Sequence, residues 1–158
     1  MDKEKKQEFT RRITQSNRGQ LVAICYEIGL TYLGEAMCAG NAMDWEEFRA
    51  ALRQTDQVLV HLQERLNFQY DLSRNLYQLY DFSRRQLMQA MYQRSVVPVQ
   101  QVEQILKELH EAFQAVAAQD ESAPLMQNAQ QVYAGMTYGK EQLNESFQGL
   151  DHSRGFFA

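Results

Sequence analysis

The chain has 158 residues, of which 44% are hydrophobic and 23% charged, and a net charge of −4; this balance suits one folded domain and argues against wholesale disorder. An acidic chain lacks the basic footprint of a nucleic-acid binder. The start, Met1-Asp2-Lys3-Glu4-Lys5-Lys6, leads into no signal-like apolar stretch, and no apolar run approaches the ~18 residues of a membrane span, so the expectation is a cytoplasmic protein without membrane insertion.

Proline is the clearest punctuation. Pro98 and Pro124 are the only two, and a proline-free stretch permits long helices. β-branched clusters and strict alternation are scarce, which gives strands little support. The first helix is expected from about Lys3 to Gln15, with Phe9 and Ile13 stacked at i,i+4 on a polar segment. It is short and marginal alone. Ser16-Asn17 signals the start of a second helix, from about Arg18 to Ala39. Gly40-Asn41 reads as its left-handed stop. This helix carries two apolar stripes, Leu21, Ile24, Cys25, Ile28, Tyr32 and Val22, Tyr26, Leu30, Leu33, Met37. So wide an apolar arc marks a central helix or one covered by a second partner.

Asp44 caps the third helix, with Glu46 and Glu47 near the positive end of its dipole. Trp45, Phe48, Leu52, Thr55, Leu59, Leu62 and Leu66 follow an unbroken heptad spacing. Asp71 is expected to cap a fourth helix, Leu72 to about Gln93, with Leu72, Leu76, Leu79, Tyr80, Leu87, Ala90 and Met91 turned inward. Pro98 suits the first turn of a last helix reaching about Ala118. Its seam is Val99, Val102, Leu106, Leu109, Phe113 and Val116. Four long helices with short links predict an all-α fold, an antiparallel up-down four-helix bundle with a short N-terminal helical arm. The bundle and arm take residues 1–118, and an extended C-terminal tail, flexible or docked on the bundle, takes residues 119–158. The tail holds five acidic and two basic residues, and aromatics including Tyr133 and Tyr138.

No catalytic set emerges, and the chain reads as non-enzymatic with no cofactor and no metal. His61, His110 and His152 form no i,i+4 pair and no Glu-x-x-His motif. Cys25 and Cys38 lie 13 residues apart on one helix, about 20 Å at ~1.5 Å per residue, beyond disulfide reach. There is no phosphate loop and no Gly-x-Ser-x-Gly. What stands out is surplus apolar surface. Tyr26, Tyr77, Phe82, Met88 and Tyr92 lie off the seams. They read equally as a thicker core with amphipathic tyrosines or as a groove for a partner's apolar helix. Gly29 and Gly34, costly inside a helix, read equally as close approach of another backbone, from the bundle or from a ligand, or as tolerated imperfection.

Two stretches resemble the flagellar export chaperone family FliS. One is Thr14 to Glu27, ending Ile24-Cys25-Tyr26-Glu27, followed by Leu30 to Leu33. The other is Leu66-Asn67-Phe68, Leu76-Tyr77-Gln78-Leu79-Tyr80-Asp81-Phe82, Arg84-Arg85-Gln86-Leu87 and Ala90. Val102 to Phe113 adds a weaker match, and Ile28-Gly29, Met91 and Phe113 depart from the family pattern. The resemblance implies a cytosolic four-helix chaperone that binds the C-terminal segment of flagellin. It would prevent premature polymerisation and deliver the subunit to the flagellar type III export gate. The expected client groove is Leu21, Ile24, Tyr26, Leu30, Tyr77, Tyr80, Met88, Met91 and Tyr92. Phe9 and Ile13 of the arm, and Tyr133 and Tyr138 of the tail, are expected to cover it. Two readings compete. A helical adaptor or regulator, anti-sigma-type or another secretion chaperone, would share the bundle but take a different client. A metal or cofactor bundle enzyme would need ligands that the sequence does not supply.

Overall fold

A computed structural model describes residues 1–126. Five helices form, α1 (Lys3–Gln15), α2 (Arg18–Asn41), α3 (Trp45–Glu64), α4 (Asp71–Gln93) and α5 (Val97–Ala118), with no strand among the described residues. The fold is an all-helical bundle.

The starts follow from side-chain chemistry. Asn17 Oδ1 accepts from the Gln20 backbone N–H at 2.9 Å, and Gln20 Oε1 accepts from the Asn17 N–H at 3.1 Å. This reciprocal capping box satisfies two donors that a helix start otherwise leaves open. Asp44 caps α3 by accepting from the Glu47 N–H at 3.1 Å. Asp71 is the first residue of α4 rather than its cap. Tyr70 precedes it without a side-chain bond, and Ser73 Oγ donates instead to the Asn67 carbonyl at 2.6 Å.

The Gly40-Asn41 stop is not where the chain turns. α2 runs through Asn41, no described glycine has positive φ, and Met43 takes the left-handed conformation at φ 58°. Gly40 serves packing instead. A Cβ there would lie 2.6 Å from Val96 Cγ1 and 3.1 Å from the Phe48 ring. The fully buried Phe48 therefore closes over a backbone without a side chain. Gly29 meets Leu106 and Val58 at ordinary contact distance, whereas Gly34 faces open space, so close approach within the bundle accounts for neither Gly29 nor Gly34.

α2 packs on α3 and α5, and α4 packs on the same two helices, which closes a ring of four; α1 lies against α2. α2 and α5 run in opposite directions. Gly19 faces Ala117, Tyr26 stacks near Phe113 with ring centroids 5.4 Å apart, and Gly29 faces Leu106. The core holds Tyr26, Leu33, Phe48, Leu52, Leu59, Leu87, Val99, Val102 and Leu106. Most of the predicted seams turn inward, with three exceptions. Leu72, Leu79 and Val116 are exposed, while Ser73, Ser83 and Ala117 are buried. Ser83 is tolerated inside because its hydroxyl donates to the Leu79 carbonyl at 2.8 Å. α2 is long and apolar enough, by length and composition, to cross a membrane. Its apolarity is used against α1, α3 and α5. No uninterrupted apolar run announces this, because polar residues such as Glu27, Thr31 and Glu35 are spaced along it.

The helices end at Ala118, but the chain does not leave the bundle there. The Leu125 N–H donates to the Ser16 carbonyl at 3.1 Å, and Asn17 Nδ2 donates to the Asp120 carbonyl at 2.9 Å.

An apolar furrow between α2 and α3 as candidate functional site

The first α2 stripe is only partly consumed by the core. Leu21, Cys25, Ile28 and Tyr32 are half-buried and lie along one wall of a furrow of about 640 Å³, together with Val22. Val58 and Leu62 of α3 form the facing wall. Leu76 and Tyr80 of α4 and Phe113 of α5 line it too, and Leu66 and Asn67 of the α3–α4 link also border it. Gln54, Gln57, His61 and Arg65 give α3's side a polar rim. The arm reaches the same furrow through Ile13. A mostly apolar trough with a few polar groups at its edge is the kind of surface that takes an amphipathic partner helix.

The furrow's interior is neutral. The Tyr26 and Tyr80 hydroxyls hydrogen-bond to each other at its floor. Burial is the largest influence pushing both above the usual tyrosine range. Burial also pushes the Cys25 thiol up, which disfavours the reactive thiolate. Among the described residues, no group of three or more His, Cys, Asp or Glu is placed to hold a metal ion.

Charge and packing hold the arm in place. Arg12 makes a two-pronged ion pair with Glu27 at 2.8 and 2.6 Å, and its guanidinium lies 5.6 Å from the centre of the Phe9 ring. The bond to Glu27 is the main reason the Arg12 pKa rises. Phe9 is buried, and the Met1 ammonium sits 2.6 Å from Glu35.

The expected groove residues do not gather in one place. Leu21 and Tyr80 line the furrow, with Ile13 of the arm. Tyr26 is fully buried and supports the floor from beneath through Tyr80 and Phe113. Leu30 is half-buried against the core. Ile24 faces a different depression, of about 470 Å³, with Glu27, His110 and Gln114. The buried Nε2 of His110 has no hydrogen-bond partner among the described residues. Tyr77 is exposed and pairs with Phe68 at 5.9 Å. Met88, Met91 and Tyr92 line a third depression, of about 480 Å³, with Arg49, Arg53, Asp56 and Arg94. There Asp56 is already neutralised by Arg84, Nε to Oδ1 2.7 Å. Tyr133, Tyr138 and His152 lie outside the described residues.

Sequence reasoning missed Val58, Leu62, Leu66 and Leu76 as furrow residues. Leu62, Leu66 and Leu76 count as seam positions, and a seam residue near a bundle's open edge serves core and furrow at once. Cys25 and Ile28 were visible as members of a stripe wider than one core face.

Fold and furrow together define an all-helical bundle with an apolar trough that its own N-terminal helix borders. The chain belongs to the Flagellar protein FliS family, which matches residues 1–120, from the arm to the turn after α5. That membership places it among flagellar export chaperones. No curated protein matches the chain.

Proposed function

We propose that the chain binds the C-terminal segment of flagellin in the α2–α3 furrow, keeps the subunit from polymerising in the bacterial cytoplasm, and presents it to the flagellar export gate. The furrow is the observation that carries this reading. It is apolar and open, and it extends along α2 from Leu21 to Tyr32. At ~1.5 Å per residue that is about 16 Å, room for roughly three turns of a client helix. A filament-forming segment has an apolar face that seeks its own kind, and covering that face removes the contact that starts assembly. The client folds as it binds and gives up entropy in doing so, which keeps the complex releasable at the gate. Ile13 borders the furrow, so an entering helix displaces the arm at that point.

Mixing the protein with monomeric flagellin in equal amounts is expected to give a stable one-to-one complex and to suppress seeded filament growth. Flagellin lacking its C-terminal segment is expected to give no complex. Undiminished filament growth, or equal binding of truncated flagellin, would overturn the assignment.

A further inference from the structure

We propose that residues 120–125 form a strap that locks the elbow between α1 and α2, so that the arm leaves the furrow only when the strap lets go. The link to the furrow rests on the proposed client site; the lock itself does not.

The elbow is two residues long. α1 ends at Gln15 and α2 begins at Arg18, so a swinging arm must change the backbone angles of Ser16 and Asn17. Link residues normally face water, yet each of these two is only 3% exposed. What covers them is the chain after α5. Asn17 is used on both sides of its amide: Oδ1 caps α2, while Nδ2 donates to the Asp120 carbonyl at 2.9 Å and to the Ser122 carbonyl at 3.5 Å. The Ser16 carbonyl accepts from the Leu125 N–H at 3.1 Å. Ser122 steadies the turn by donating its N–H to Asp120 Oδ1 at 3.0 Å.

Gly19 makes the approach possible. A Cβ there would lie 3.1 Å from Asp120 Oδ2 and 3.3 Å from Ala117 Cα. Rotation at Ser16 turns its carbonyl away from Leu125. Rotation at Asn17 breaks its bonds to the strap or undoes the cap. The other bonds of the arm, at Glu27 and Glu35, lie along its length. At the hinge itself, Ser16 is held to α1 by its N–H and Oγ donating to the Ile13 carbonyl and Asn17 to α2 by its cap; the strap adds the bonds that tie both residues to the chain after α5.

Two substitutions in the full chain separate the strap from the fold. Asn17→Ser keeps an equally good cap but removes the amide that reaches Asp120 and Ser122. Leu125→Pro removes the N–H bound to Ser16, and Leu125 is half-exposed, so little packing is lost. Hydrogen–deuterium exchange without any client is expected to quicken in α1 by roughly fivefold, the effect of losing one hydrogen bond of ordinary net strength. Exchange in α3 and α4 stays unchanged. The flagellin C-terminal segment is expected to bind each variant tighter by a similar factor. Wild-type exchange rates in α1 of both variants would overturn the lock. Faster exchange with unchanged affinity would overturn its control of the furrow. A segment that binds neither wild type nor variants would refute the client site instead, while the α1 rates still decide the lock.

Discussion

Ile28→Asp is expected to weaken binding of the flagellin C-terminal segment by tenfold to a hundredfold while leaving the bundle folded. Ile28 lines the furrow wall on α2 and is half-buried. It lies outside the buried core cluster and the side chains packed on it. Its removal therefore costs the free protein little. In the complex a client helix would exclude water from it, and a short carboxylate cannot reach back to solvent as a longer side chain would. A tenfold to hundredfold loss corresponds to about 1.4–2.7 kcal/mol, modest beside the cost of fully burying an unpaired charge. Calorimetric titration reads the affinity, and far-UV circular dichroism with urea unfolding checks the fold. Unchanged affinity in a folded variant would move the client off this wall.

Tyr26→Phe is expected to destabilise the protein by about 1–3 kcal/mol, because it leaves the Tyr80 hydroxyl without its partner. Tyr26 is fully buried, Tyr80 is 2% exposed, and their hydroxyls bond only to each other among the described residues. Water has little access to rescue the survivor. The Tyr26→Phe/Tyr80→Phe double variant is expected to cost less than the two single changes added together, since it removes donor and acceptor at once. Urea unfolding of the four proteins gives the coupling directly. Additive losses would mean that each hydroxyl already has another partner. The pair matters beyond stability, because Tyr80 is also part of the furrow's floor. The bond joins α2 to α4 across the bundle beneath that floor.

Much of the fold was legible because local chemistry and periodicity agreed. Asn17 and Asp44 carry cap signals at the starts of α2 and α3, and both cap. The heptad from Phe48 to Leu62 turns inward throughout. Legibility fails where tertiary packing decides. Gly40 looks like a helix stop, but Phe48 and Val96 need its missing side chain. Leu72, Leu79 and Val116 fit the seams by spacing but face solvent: Leu72 and Leu79 sit one position before the buried row Ser73, Leu76, Tyr80, Ser83, Leu87 and Ala90 that runs along α4, and at the end of α5 Ala117 takes the inner position. The site was harder to read than the fold. A surplus of apolar residues shows in composition, but its division among three depressions depends on how the helices rotate about their axes. Met88 and Tyr92 therefore ended beside three arginines, away from Leu21 and Tyr80. The strap left no signal at all, since a backbone N–H at Leu125 and a carbonyl at Ser16 carry no mark in the sequence.

The two cysteines offer the most direct measurement of client placement. Cys25 lies in the furrow wall, and Cys38 is exposed farther along the same helix. Labelling of both thiols with a small maleimide, with and without the flagellin C-terminal segment, compares the half-buried furrow thiol with an exposed control on the same helix. A client seated in the furrow slows Cys25 labelling at least tenfold and leaves Cys38 unchanged. Saturating client with Cys25 still reacting at its free rate would contradict the account.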